Sequence, residues 1–270
     1  FGLNPQESII APLVDTIMRA LDETAGSILV FLPGQGEINQ LQKQLNPRID
    51  TDVCILPLYG ALSLEAQLRA IAPLAADSPY NRKIVLATDI AETSITIDGI
   101  STVVDSGLCR QPRFDPASAM TRLHTRRISQ ASSIQRMGRA GRTQHGHCYR
   151  LWSKASQNTL EQQTPAEILQ ADLCPLALQL LQWGINDPAE LSWLDSPPSA
   201  AFSQALDLLY ALGALQQNPQ QPGPRRLSEH GLQMAQLPTH PRLAHMLIKG
   251  AQYGVTRSAA ALACLLSDKD

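Results

Sequence analysis

The 270-residue sequence has no Cys-x-x-Cys, no Gly-Lys pair and no apolar run near the ~20 residues that a membrane span needs. Its five cysteines, Cys54, Cys109, Cys148, Cys174 and Cys264, stand singly. That spacing signals neither a zinc site nor a disulfide framework, and reduced, mostly buried thiols are expected. Without a Gly-Lys pair there is no GxxxxGK[ST] loop, the device that cradles the phosphates of a bound nucleotide. The opening FGLNPQESII lacks the layout of a signal peptide, so the chain reads as soluble and cytoplasmic. It begins without Met and ends with SDKD inside a helical pattern, as expected of a piece of a longer protein.

What is present suits a folded protein of two or three modest domains: 44% apolar residues, 17% charged residues and a net charge of -2. The charge is uneven. Between Arg110 and Arg142 there are eight arginines, one acid (Asp115) and no lysine. Guanidinium groups offer planar forks of donors, so this stretch suits phosphate partners.

Apolar residues at Ile10, Leu13, Ile17 and Leu21 predict a helix over 7–21. Short runs of branched apolar residues then predict strands at SILVFL (27–32), VCILPLY (53–59), KIVLAT (83–88), STVVDSG (101–107) and HCYRLW (147–152). GEINQLQKQL and SLEAQLRAI read as helices between the first three. Such alternation predicts an α/β fold with a parallel sheet covered on both faces, its ligands beyond the strands' carboxyl ends. After about Ser153 the patterns are helical: LCPLALQLLQWGI, AAFSQALDLLYALGAL with Leu206, Leu209, Tyr210 and Gly213 on one face, and from Gly231 onward what reads as the opening helices of another helical unit. QQNPQQPGPRRLS between them reads as a two-stranded wing. Trp183 and Trp193 are expected on packing faces, His240 in a Pro-bounded cap, and His145 and His147 in a turn and strand start rather than a metal site.

Two stretches carry chemistry. In SSIQRMGRAGRT, Gln135, Arg139 and Arg142 fall at i, i+4 and i+7, which on one helix projects all three from one face, with Arg136 on another. Ser129 or Ser132 can cap such a helix, and Ser132 with Gln135 fits a capping box. Gly138 and Gly141 inside a helix would each cost about 1 kcal/mol, so they are read as room for an approaching phosphate or lobe. Arginines so placed can neutralise the charge that develops in phosphoryl transfer. In ATDIAETSITIDGI (87–100) a strand delivers Thr88 and Asp89 to its end, and Glu92, Thr93, Ser94, Thr96 and Asp98 follow. Hydroxyls and amides at a strand end can hold nucleic-acid phosphates, and a carboxylate nearby can hold a ribose hydroxyl or a water.

Together, FLPG at 31–34, ATDIAETSITIDG and QRMGRAGRT resemble the second RecA-like lobe of superfamily-two helicases of the DEAH/RHA group. Phe31 to Glu37 matches motif IV, Thr88 to Asp98 motif V and Gln135 to Arg142 motif VI, and LYGALSLEAQ (58–67) matches a further segment. TPAEILQADLCPLALQLLQWGI is similar to the group's winged helix and LSEHGLQMAQLPTHPRLAHMLI to its passage into a helical bundle; WLDSPP and LLQWGI are most like a bacterial branch. The resemblance implies a RecA-like lobe over 1–155, a winged helix over 156–230 and the start of a helical bundle over 231–270. It implies arginine fingers at Arg139 and Arg142, a γ-phosphate and water contact at Gln135, a nucleotide-sensing Ser94, and Asp98 at the ribose or water. It places Thr88 and Thr93 on the RNA backbone, with Gly34, Gln35 and Gly60 in loops approaching it. Relatives often stack an aromatic on adenine before the proline matching Pro73; Ile71 is nearest here, which implies weak base selectivity. The hairpin expected over 109–123 reads as short.

The implied activity is ATP-dependent movement on or unwinding of RNA, by a monomer. Its partners would be single-stranded RNA, or DNA, and a preceding RecA-like lobe that supplies the P-loop lysine and holds Mg²⁺. LDETA (21–25) imitates a DEAH box but reads as a helix end, so the 270 residues alone are expected to be inactive. A second reading stays open: a nucleic-acid- or partner-binding module of the same fold without ATPase activity.

Overall fold

The computed structural model describes residues 8–93, 95–115, 120–141, 145–217 and 223–267. They form two compact units. One holds the residues up to Pro112 together with Leu123–Thr164; the other holds Arg113–Arg122 and those from Pro165 on.

In the first unit a five-stranded sheet runs in the order β2 (Val53–Leu58), β3 (Arg82–Ala87), β1 (Ser27–Phe31), β4 (Ile100–Asp105), β7 (His147–Arg150). Every pairing is parallel. Alternate residues of each strand face opposite sides. Ile28, Val30, Ile84 and Leu86 pack on α1 (Ile10–Glu23) and α2 (Gln35–Leu45). Leu29, Phe31, Val85 and Ala87 pack on the other side with Leu58, Ala70 and Ala140. Burial on both faces is why these strands read as unbroken apolar runs. LDETA ends α1, as expected. Lys83, fully buried, donates its Nζ to the carbonyls of Ala70, Ile71 and Ala72 and so caps α3 (Leu64–Ile71) from the sheet.

Parallel pairing sorts the loops by edge. Gly34 and Gln35 follow β1, Gly60 follows β2 and Thr88 follows β3, so all four stand at the carboxyl edge. Asp98 and Gly99 precede β4 and stand at the amino edge, where the Gly99 carbonyl accepts from the Ser27 amide.

Between β4 and α4 (Gln130–Met137) lies a two-stranded sheet of β5 (Leu108–Asp115) and β6 (Met120–Arg127), eight residues each. The expectation of a short hairpin is thereby corrected: its polar, arginine-rich strands carry no apolar alternation that would have marked their length. α5 (Lys154–Asn158) closes the unit.

The second unit contains α6 (Cys174–Gln182), α7 (Ser199–Ala211), α8 (Glu229–Ala235), α9 (Pro241–Gln252) and α10 (Thr256–Ser267). One apolar core joins Leu178, Leu181, Phe202, Leu209, Met234 and Ala244, crossing the 230/231 boundary drawn from the sequence. Where a two-stranded wing was expected, the described residues form a single antiparallel bridge, Leu215 to Leu227. Trp193 packs on the core and donates to the Pro188 carbonyl. Trp183 does not: it ends α6 at 69% exposure, and Tyr210 also turns outward.

Candidate functional site

α4 is capped by Ser129, whose hydroxyl accepts from the Ser132 amide at 3.1 Å; Ser132 is inside the helix, so no box with Gln135 forms. The helix ends at Met137 with Gly138 as its C-cap, and residues 138–140 form a turn. This corrects the helical-face expectation. Gln135 is exposed in the last helical turn, whereas Arg139 sits in the turn beyond it and Arg142 lies outside the described residues. The two glycines therefore carry no helix-interior cost. A Cβ at Gly138 would make ordinary contact with backbone carbonyls, and one at Gly141 would meet nothing among the described residues. The glycine of this stretch under steric demand is Gly146, where a Cβ would collide with the Ala140 backbone. Sequence reasoning passed over it.

The largest departure is Arg136, which is fully buried. Its Nε donates to Glu92 Oε2 at 3.0 Å, and its Nη1 to Asp105 Oδ1 at 2.9 Å and the Leu108 carbonyl at 3.2 Å. The guanidinium lies 4.8 Å from the centre of the Phe31 ring. Burial works against its charge, but the carboxylates of Asp105 and Glu92 outweigh burial and raise its pKa. One signal was available: Ser132, Ser133 and Arg136 form the buried stripe of α4, two small residues clearing space for a long one.

Glu92, named from the sequence without a role of its own, is the second such residue. The same Oε2 that accepts from Arg136 also accepts from the Ser132 hydroxyl at 2.7 Å. The Glu92 backbone carbonyl accepts from Arg139 Nη2, and the Ile95 carbonyl from Arg139 Nη1 at 2.6 Å. Arg139 is thus 92% buried and held by the segment that contains Thr93. Ser94, in that segment, lies outside the described residues.

Thr88 is half-buried, with its amide donating to the Leu58 carbonyl, and Thr93 is exposed. Gln35 and Gly60 are exposed at the same edge. Gly34 is buried, and its missing side chain makes room for the Arg110 guanidinium, which pairs with Glu37 at 2.9 Å. Beside Thr93 a recess of about 280 Å³ is lined by Asp89, Glu92, Ser132, Arg126 and Arg127 among others. Arg126 donates to Gln111 and Glu161. Desolvation raises the pKa of the Asp89 carboxyl, with Arg136 opposing. Asp98 is exposed at the far edge, away from these groups. The structure therefore gathers Thr93, Glu92, Ser132, Arg136 and Arg139, leaves Gln35, Gly60 and Thr88 along the carboxyl edge, and sets Asp98 apart.

The profile of the helicase conserved C-terminal domain family matches residues 10–144. The ATP-dependent RNA helicase HrpB of Escherichia coli strain K12 is 48% identical over 249 residues, covering 92% of this chain and 29% of that protein. The pre-mRNA-splicing factor ATP-dependent RNA helicase prp22 of Schizosaccharomyces pombe is 38% identical over 272 residues, covering 97% of this chain and 22% of that protein. Among solved structures, the E. coli DExH-box NTPase HrpB superposes with a TM-score of 0.86 and the E. coli DEAH/RHA helicase HrpB with 0.89. Each is 44% identical and matched over 100% of this chain, and over 32% and 33% of the respective solved chains. The chain thus spans about a third or less of the length of these relatives.

Proposed function

The chain belongs to the helicase conserved C-terminal domain family, and from that premise we propose that it is the second RecA-like lobe, with a following winged helix and the start of a helical bundle, of an ATP-dependent RNA helicase. Single-stranded RNA would cross the carboxyl edge of the sheet at Gln35, Gly60, Thr88 and Thr93. ATP would be held against the turn bearing Arg139, with the γ-phosphate contact assigned to Gln135 and Arg142 and nucleotide sensing to Ser94; Asp98, at the amino edge, is left out of this site. A preceding RecA-like lobe would supply the phosphate-cradling lysine, which this sequence lacks. Mg²⁺ would be held mainly by that lobe.

The observation that carries the reading is the placement of Arg139. It hangs from the segment that bears Thr93, so a phosphoryl-transfer arginine and a nucleic-acid contact share one element. ATP supplies the phosphoryl group; a guanidinium beside it neutralises the charge that develops as the γ-phosphoryl passes to water.

In the complete protein, Arg139→Ala is expected to lower RNA-stimulated ATP turnover on the order of 10³-fold. Turnover within about threefold of the unaltered protein, a difference too small for a lost transition-state contact, would overturn the assignment. Running the assay with single-stranded RNA and DNA, each across salt concentrations, separates the two partners, because phosphate contacts alone give a salt slope common to both.

A further inference from the structure

We propose that Glu92 is a positioning residue that couples nucleic-acid contact at Thr93 to the placement of Arg139 for ATP hydrolysis. The proposal rests on the helicase reading above and goes beyond it in naming the residue that joins the two sites.

Glu92 makes three connections at once. Its carboxylate accepts from Ser132 in the first turn of α4 and from Arg136 one turn later, at 2.7 and 3.0 Å. Its backbone carbonyl accepts from Arg139 in the turn after α4. Its chain neighbour is Thr93, and both line the same recess. Through Arg136 the carboxylate is tied to Asp105 at the end of β4 and to the Leu108 carbonyl. Glu92 is thus anchored to the rigid sheet through its side chain, while its carbonyl and that of Ile95 both accept from Arg139.

A purely structural account makes Glu92 the counter-charge of the buried Arg136. Asp105, 1% exposed, already serves there at 2.9 Å, and a single carboxylate neutralises a single guanidinium. The second carboxylate, 15% exposed and facing the recess, is surplus to neutralisation. Its distinctive property is its connectivity. For Arg139 to turn toward a γ-phosphate it must leave the carbonyls of Glu92 and Ile95. A phosphate seated on Thr93 bears on that same segment. RNA occupancy and release of Arg139 are then two readings of one two-state element, which is the physical requirement for coupling between sites.

The test uses the complete helicase with single-stranded oligouridylate as the RNA probe, measuring ATP turnover with and without RNA over a range of RNA concentrations. Glu92→Gln keeps the side chain's size and weakens its hold on Arg136. It is expected to reduce the ratio of RNA-stimulated to RNA-free turnover about tenfold, within the usual range for coupled sites, while half-saturating RNA changes less than about twofold. Ser132→Ala, which removes one hydrogen bond and no charge, is expected to lower the same ratio by a smaller factor. It decides the matter should Glu92→Gln fail to fold. If the ratio stays at its unaltered value in the folded variants, even with both turnovers reduced together, Glu92 is structural and the proposal is overturned. The helicase reading is judged separately by Arg139→Ala. A large loss there with an unchanged ratio in Glu92→Gln leaves that reading standing and removes only this one; an unaltered protein that RNA does not stimulate removes both.

Discussion

A guanidinium with no exposed surface needs its charge and most of its donors met inside the protein. Glu92 and Asp105 meet the charge of Arg136, and they and the Leu108 carbonyl take its Nε and Nη1 donors, with the group against the Phe31 ring; Nη2 has no hydrogen-bond partner among the described residues. Truncating it would strand Asp105, itself 1% exposed, as a buried charge without its ion-pair partner. Arg136→Ala is therefore expected to destabilise the first unit by about 3–5 kcal/mol, the usual cost of breaking a buried pair from one side. Urea denaturation of the folded chain checks it, and a loss below about 1 kcal/mol would mean that the pair behaves as a surface one. The stripe of Ser132, Ser133 and Arg136 hinted at burial, but the partners of Arg136 were not legible from spacing. The partners lie 31 and 44 positions away in sequence, and local periodicity sees only neighbours within a turn or two. Gln135 and Arg139 stood out in the sequence as candidates, because a dense run of arginines with a single acid is unusual wherever it folds. Their geometry was not legible.

At the scale of elements, the strands of the parallel sheet were read nearly to the residue because double-sided burial leaves a continuous apolar signature in SILVF and RKIVLA. The end of α4 was misread because a glycine that closes a helix and one that interrupts it look alike in sequence; only backbone geometry separates them. Packing decides a second glycine. Gly231 lies inside α8, where alanine would ordinarily gain about 1 kcal/mol, but a Cβ there would collide with the Ala214 backbone. Gly231→Ala is expected to destabilise the second unit by about 1–3 kcal/mol. Gly36→Ala in α2, with nothing near the added carbon, should be neutral or gain up to about 1 kcal/mol. Thermal denaturation of the two variants side by side tests the contrast, and a stabilised Gly231→Ala would show that the Ala214 carbonyl yields. The junction of α6 with α9 adds a pH dependence. His240 accepts the Arg242 amide on Nδ1 and so donates from Nε2 to Asp172, whose other oxygen accepts the Cys174 amide. Burial pushes the Asp172 carboxyl up, but those hydrogen bonds outweigh it and hold its pKa below the ordinary value. A depressed carboxyl contributes stability that is full above its unfolded pKa of about 3.9 and is lost as pH falls through the lower folded value. Urea midpoints should accordingly fall on acidification through that window, and Asp172→Asn should flatten part of the fall; an unchanged slope would remove Asp172 as a cause.

At the scale of the whole molecule, the chain carries the arginines proposed to face a γ-phosphate without a GxxxxGK[ST] loop to hold the phosphates. Its net charge of -2 conceals eight arginines between Arg110 and Arg142, so phosphate attraction is concentrated locally while the protein as a whole stays near neutral. Attraction alone does not hydrolyse ATP. Catalysis needs the γ-phosphate fixed in line with a water and Mg²⁺ bridging its oxygens, and a guanidinium adds to the rate only once that geometry exists. Here no GxxxxGK[ST] is present to fix it, and Arg139 is engaged by the Glu92 and Ile95 carbonyls. The 270-residue chain alone, given ATP, Mg²⁺ and single-stranded RNA, is expected to release phosphate no faster than buffer, while still binding RNA with an affinity that falls as salt rises. Phosphate release and fluorescence anisotropy on the same preparation test both halves. RNA binding without turnover is the outcome that a lobe needing a partner requires. Turnover above buffer that disappears in Arg139→Ala would place the whole catalytic machinery within these residues and overturn the division of labour between two lobes.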